Sequence, residues 1–323
     1  MELEQIDDIS ITAEYGPPRT AVKLGLVCTL YVPRPYDERV RQRLAECGDE
    51  YQAMFGRHLR LYLRPDGEGS YKPYPPGGIS LTDYVMQHDI DKKSFAPDFV
   101  GGAAYNDASS WSLSILAGGT EDSPGNAKPA YFAATLPFSF FHEAKDVAPF
   151  QRLVHRWCTL LRPQSGYAGI GAIQSVDMME KKRTSSQVYP LAKRFPGLDV
   201  DNPSVIANHM GDRIKGANWL TALDDSCAQR VGGKDWLLSK LSSGYRIFEY
   251  EGGLLIQAGP TPQLGDANRG QLPYYYCELS RLLKPIRMTF PAGHSLFQPG
   301  KGVDSTAASN EWLARLDQDV PQP

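Results

Sequence analysis

The chain has 323 residues, with 34 Lys and Arg against 37 Asp and Glu and a formal net charge of −3. At 41% hydrophobic and 22% charged residues it has an ordinary globular composition, and a chain of this length buries most of its unfolded surface. The charge balance argues against a broadly basic nucleic-acid binder, and no run approaches the ~18 consecutive apolar residues of a membrane helix.

The first 14 residues carry five acids, Glu2, Glu4, Asp7, Asp8 and Glu14, and no base. They lack the basic start and apolar core of a secretory signal, so the expected location is cytoplasmic. Thr20–Val32 (TAVKLGLVCTLYV) is β-branched and apolar, ends at Pro33 and predicts a strand. Tyr36, Val40, Leu44, Cys47, Tyr51 and Phe55 recur every three or four residues and predict one face of an amphipathic helix, closed by Gly56. His58–Leu63 alternates and predicts a strand. Residues 64–79 and 119–128 are rich in Pro, Gly and Asp and predict loops. Between them, Phe99–Tyr105 and Trp111–Ala117 predict two short strands about a turn at Asn106-Asp107; Ala130–Phe141 predicts another.

In the second half, Phe150, Leu153, Val154, Trp157, Cys158 and Leu161 predict a helix opened by Pro149 and stopped by Pro163. Gly166–Ile173 follows as a strand with Gly169 and Gly171 on one face, where missing side chains imply close approach of a backbone or a bulky aromatic. Residues 176–212 carry only a weak helical signal near Val188–Phe195. Ile214–Leu223 predicts a strand, Asp224 or Asp225 a helix cap, and Gly232-Gly233 an interruption of that helix. Tyr245–Tyr250 and Gly253–Ala258 predict an antiparallel pair about Glu251-Gly252, Pro273–Leu283 the next helix, and Ile286–Phe290 a closing strand. The expected class is α+β: antiparallel or mixed sheets with helices on one face. Two related βαββα-type halves sharing one sheet are expected, an N-terminal α+β half at 1–141 and a C-terminal α+β half at 142–323, with one compact unit as the alternative.

The five cysteines, Cys28, Cys47, Cys158, Cys227 and Cys277, are odd in number and widely spaced, which argues against a disulfide framework or a CxxC site. The six histidines do not cluster, and P-loop, HExxH and GxSxG motifs are absent. No metal or cofactor is expected. His155 and Cys158 share a helix face and could be drawn as a nucleophile pair, the basis of an alternative reading as a hydrolytic enzyme. Cys158 on the apolar stripe beside Trp157 reads more simply as a small core hydrophobe. Asp266, Asn268 and Arg269 sit in the loop PTPQLGDANRG, either as functional polar residues or as side chains tying the loop to its own backbone. No constellation combines a nucleophile with an oriented base, so the residues lean towards a binding protein and away from an enzyme.

Three words of the second half carry a resemblance: RWCTLLRPQSGYAGIG at 156–171, IKGANWLTAL at 214–223 and GGLLIQAGPTPQLGDANRGQLP at 252–273, followed by Tyr276 and Pro285-Ile286-Arg287. They resemble the type VI secretion immunity family, the TsiV-like proteins. That resemblance implies a non-catalytic antidote whose partner is a cognate type VI effector toxin, with neither nucleic acid nor membrane as a direct partner. It points to a nuclease as the toxin, and hence to an antidote that works in the cytosol. An adaptor of the secretion machinery is the further alternative. Gln164-Ser165 stands where relatives often carry a histidine, so no histidine role is carried over. The motif residues Arg162, Asn218, Trp219, Gln257, Asp266, Asn268 and Arg269 are expected to be structural or binding. Asn218, Trp219 and Gln257 read as scaffold, and Arg162, Asp266, Asn268 and Arg269 as one polar loop cluster.

An interface needs aromatic anchors, and the loop 64–79 offers Tyr71 and Tyr74. Trp111 is a weaker candidate that reads better as core. Glu2, Glu4, Asp7 and Asp8 could meet a basic nuclease surface, although a solvated end is the plainer reading.

Overall fold

A computed structural model describes residues 9–14, 18–88, 94–118, 128–144 and 146–319. The strands are β1 (Ser10–Thr12), β2 (Thr20–Val32), β3 (Leu61–Leu63), β4 (Lys72–Pro73), β5 (Asp98–Val100), β6 (Ser112–Leu116), β7 (Ala130–Leu136), β8 (Ser165–Gln174), β9 (Asp199–Val200), β10 (Leu220–Asp224), β11 (Tyr245–Tyr250) and β12 (Gly253–Ala258). The helices are α1 (Glu38–Phe55), α2 (Leu81–Gln87), α3 (Ser139–Ala144), α4 (Ala148–Leu161), α5 (Met178–Arg194), α6 (Pro203–Met210), α7 (Asp225–Arg230), α8 (Lys234–Lys240), α9 (Tyr274–Leu283) and α10 (Ser305–Leu313).

All twelve strands join one sheet, in the order β11-β12-β10-β8-β2-β7-β6-β5-β3-β4, with β1 on β2 and β9 on β8. The fold is α+β. Every pairing is antiparallel except β8 with β9. The first and second halves meet where β2 and β8 pair without a break from Val22–Gln174 to Tyr31–Ser165. The order βαββα occurs twice, as β2-α1-β3-β4-α2 and as β10-α7-α8-β11-β12-α9, the second with its helix split by Gly232-Gly233. Strand placement differs between them: β12 pairs with β10, whereas β7, β6 and β5 lie between β2 and β3.

The expectation that helices cover one face needs correction. Strand β2 is buried along nearly its whole length, and a strand buried on both sides needs cover on both. The face carrying Cys28 and Leu30 packs on α1 and α4: Phe132, paired with Leu30, lies 4.9 Å from Trp157, and Trp157 lies 6.4 Å from Tyr51. The alternate face carries Thr29, which donates to Asp201 at 2.6 Å, and Tyr131, which bonds Ser204 of α6 at 3.1 Å. Alternation of side chains thus sends one strand's residues to two separate helix layers.

Other elements depart from the sequence expectation for identifiable reasons. Gly56 does not close α1 in a left-handed turn; its φ of −55° carries the chain into a short 3-10 turn, Gly56–His58, so β3 begins only at Leu61. The strand expected from Ala130 ends at Leu136, where Pro137 intervenes and α3 follows. Helix α5 runs 17 residues where little helix was expected, because it buries a narrow stripe (Glu180, Thr184, Ser185, Val188, Ala192) that is partly polar and carries Pro190 inside. Residues 286–290 form no strand: Lys284–Ile286 is a 3-10 turn, and one bridge joins Ile214 to Arg287. That bridge also occupies the chain ahead of β10, which begins at Leu220 and not at Ile214. The loop expected at 119–128 lies outside the described residues up to position 127.

On β8 a Cβ at Gly169 would stand 2.3 Å from the Asn218 carboxamide oxygen, and one at Gly171 would stand 2.6 Å from the Val27 methyls. The nearest neighbours are a polar side chain and a valine, with the expected aromatic present at Gly169 only as the Trp219 Cβ at 3.3 Å. Gly169→Ala should force the Asn218 carboxamide aside and cost about 1–3 kcal/mol. A lowered urea midpoint would register this; an unchanged midpoint would show that the fit imposes no constraint.

Candidate functional site

Two sets of polar groups lie on the face of the sheet that carries Thr29. The first is buried. The Lys215 side chain is 4% exposed and its ammonium pairs with Asp199, donates to the Val200 carbonyl at 2.8 Å and reaches Asp201 at 3.4 Å. It lies 4.0 Å over the Tyr167 ring and 5.4 Å from that of Trp312. Asn218 Nδ2 donates to Asp199 Oδ2 at 2.7 Å. Burial pushes the Asp199 carboxyl up, while Lys215 pulls it back.

The second set lines an open cleft of about 260 Å³. Its floor is the sheet, at Thr29, Ser112, Ser114 and Thr135, and its walls are the start of α5 and the segment 201–204. Asp201 belongs to both sets: it accepts from Thr29 and pairs with Lys215. Asp98 enters from β5. Tyr71 donates to its Oδ2 at 2.9 Å, whereas Oδ1 is buried with no partner at hydrogen-bond geometry among the described residues. Burial raises the Asp98 pKa, opposed by Ser114, Tyr71 and Lys181. Lys181 of α5 also lines the cleft. Enclosure lowers its pKa against the pull of Asp201, Asp98 and Asp177, and among the described residues its ammonium makes no hydrogen bond or ion pair. An adjoining cavity of about 230 Å³ shares Met178, Lys181, Asp201 and Asn202 and continues to Phe297. Met178 and Met179 are 55% and 59% exposed, and Tyr105, stacked on Tyr71 at 5.4 Å, is 43% exposed.

The wall is firmly held. Asp177 caps α5 by accepting from Met179 N and Glu180 N, and Glu180, 4% exposed, pairs with Arg19 at 2.6 Å. An N-cap and a buried ion pair set the first turns of α5 before any partner arrives.

The residues expected from sequence are dispersed. Tyr71 stands at the cleft beside Asp98. Tyr74 packs on Phe99, the neighbour of Asp98 that points to the opposite face, and so lines a different groove of about 750 Å³ between α1 and residues 74–80. In that groove Gln52 bonds Tyr74 and both backbone groups of Ile79, and Asp49 accepts from Leu81 N and Thr82 N. Those polar groups are satisfied within the chain. Trp111 stacks on His58 at 4.2 Å and packs on the core. Glu2, Glu4, Asp7 and Asp8 lie outside the described residues.

The motif residues do not form one cluster. Arg162, left-handed at the end of α4 with φ 50°, pairs with Glu251 of the β11–β12 turn. Asp266 pairs with Arg194 of α5 at 3.1 Å and with Arg269 at 3.8 Å, and accepts from Asn268 N at 3.1 Å, tying the loop to its own backbone. Trp219 Nε1 and Gln257 Nε2 both donate to the Gly259 carbonyl, at 3.2 and 3.0 Å, inside the fold. His155 bonds the Glu249 carbonyl at 2.9 Å, while the Cys158 thiol is buried and its pKa raised by that burial. The two groups do not make an activated thiolate.

Asp98, Lys181, Asp201 and Lys215 were missed by the sequence reading. Lys215 lies inside IKGANWLTAL, and a charge within an otherwise apolar word was the available signal. Lys181 sits in the run MEKKR, which reads as an exposed charged face.

The class the structure defines is an α+β fold around one continuous sheet, with an open cleft on the face that carries Thr29. A family model described as type VI immunity for VRR-NUC matches residues 43–316, and the chain belongs to that family of type VI immunity proteins. The fold is similar to a solved structure described as Pseudomonas aeruginosa T6SS protein PA0821, with a TM-score of 0.82 and 24% identity over 98% of this chain and 89% of that one. Comparison with curated proteins finds no match. No helix among the described residues is long and apolar enough to cross a membrane.

Two outcomes follow from these charges. Lys215→Met leaves Asp199 buried without its cation and should destabilise by about 3–5 kcal/mol in denaturant titration; a loss under about 1 kcal/mol would show that Asn218 alone suffices. A carboxyl with a raised folded pKa carries a penalty at neutral pH that vanishes once it is protonated in both states. Asp98→Asn should therefore match or exceed native stability at about pH 7 and lose any advantage as pH falls through about 4. An advantage that grew on acidification would contradict this sign.

Proposed function

We propose that this chain is a cytosolic immunity protein that binds a nuclease effector of the type VI secretion system and neutralises it by stoichiometric association, without catalysing a reaction. The observation that carries this reading is the family match over residues 43–316, whose description names VRR-NUC as the class opposed. A nuclease does harm where nucleic acid is, so its antidote must meet it in the cytosol. The five cysteines support that compartment: all are buried free thiols, the state expected under reducing conditions. The partner is the toxin, not its substrate: the described surface offers a cleft holding two aspartates and one lysine, which suits a protein partner better than a polyphosphate chain.

Co-expression tests the reading. The effector encoded beside this gene, produced alone in the cytosol, should arrest growth and fragment DNA; production of this chain with it should restore both. Continued arrest with the chain present and soluble would refute the proposal.

A further inference from the structure

We propose that the Asp98–Lys181 cleft is the docking surface for the effector, and that it seats a toxin loop presenting a neutral carboxamide or peptide group. This rests on the immunity reading and adds the place and chemistry of contact.

The starting observation is an imbalance. The groove beside α1 satisfies Gln52 and Asp49 internally. The cleft instead holds two groups that lack a partner at hydrogen-bond geometry among the described residues: the Lys181 ammonium and the buried acceptor Asp98 Oδ1, whose cross-strand neighbour Ser114 is the nearby hydroxyl. Polar groups closed off from water without partners are costly, so a partner that covers this cleft must supply them. A carboxylate could meet Lys181 but would face Asp98 and Asp201. A guanidinium could meet Asp98 but would face Lys181. An amide carries both halves: its carbonyl accepts from Lys181 and its N–H donates to Asp98.

The size and rim favour a protein occupant. At about 260 Å³ the cleft lies just below the ~300 Å³ at which small-molecule sites begin, so it suits a side chain or a turn of backbone better than a whole cofactor. Met178 stands exposed at one wall, its neighbour Met179 stands exposed at the adjoining cavity, and the stacked Tyr71–Tyr105 pair approaches from Asp98. Methionine and tyrosine around a polar centre are residue types enriched in protein interfaces, and methionine adapts its shape to a partner.

The test uses the full chain and, as probe, the neighbouring-gene effector with its catalytic centre inactivated. Met179→Glu changes only an exposed side chain and should weaken binding about tenfold or more while leaving the thermal midpoint unchanged. Lys181→Met should weaken binding by a similar factor, and that factor should be the same at about 0.05 and 0.5 M salt, because the lost partner is neutral. Arg57→Glu, in the other groove, should stay within about twofold of the native chain. Native affinity in both the Met179→Glu and Lys181→Met variants, or loss of binding with Arg57→Glu alone, would overturn the docking surface. A Lys181→Met effect that shrinks at high salt would overturn the neutral occupant in favour of a charged one. Failure of the unaltered chain to bind the effector would overturn the immunity reading itself, and this inference with it.

Discussion

The buried ammonium of Lys215 is the constraint on which one whole face of the molecule depends. Removed from water, it needs counter-charge and full hydrogen bonding, and it obtains them from Asp199, Asp201, the Val200 carbonyl and the Tyr167 ring. Those partners come from the segment 199–201 and from β8, so one cation holds the short parallel strand β9 against the centre of the sheet. Asn218 completes the shell around Asp199 and fits only because β8 has no side chain at Gly169. The glycine on the strand and the polar residues of the word IKGAN are parts of one arrangement.

That arrangement also sets the cleft. Asp201 is fixed from behind by Lys215 and from below by Thr29, and its position defines the wall facing Lys181. On the opposite face α1 and α4 pack Tyr51 and Trp157 against Phe132 of the sheet. The division of labour follows from strand alternation: one set of β2 and β7 side chains makes an apolar core, and the other set supplies a polar floor. A side chain ordered before an encounter is one less to order during it, and the ion pairs and cap behind this polar floor hold its groups in place.

Much of the fold was legible in the chain. The run TAVKLGLVCTLYV, the three-four spacing of Val40, Leu44, Cys47 and Tyr51, the β11–β12 hairpin about Glu251-Gly252 and the capping role of Asp224 appear where local chemistry placed them. Helix α5 was legible only as a weak signal near Val188–Phe195, because its buried stripe mixes Glu180, Thr184 and Ser185 with few apolar residues; the ion pair to Arg19, 161 positions away, replaces the hydrophobic signal in its first turns. The motif words announced the family but not a surface. Trp219 and Gln257 turned inward to share one carbonyl, and Arg162 and Asp266 found separate partners.

The sequence by itself determined the α+β class, the main strands and helices and the membership of an immunity family. Periodicity, capping and runs of matching residues act over a few positions and can be read in a line. Only the tertiary structure decided that helices cover both faces, that Tyr71 and Tyr74 point to opposite sides, and that Asp98, Lys181 and Asp201 line one cleft. Those facts depend on which strands become neighbours and which way each residue points across the sheet. Desolvation, unmet hydrogen bonds and altered pKa values exist only once distant parts of the chain have closed around the groups concerned.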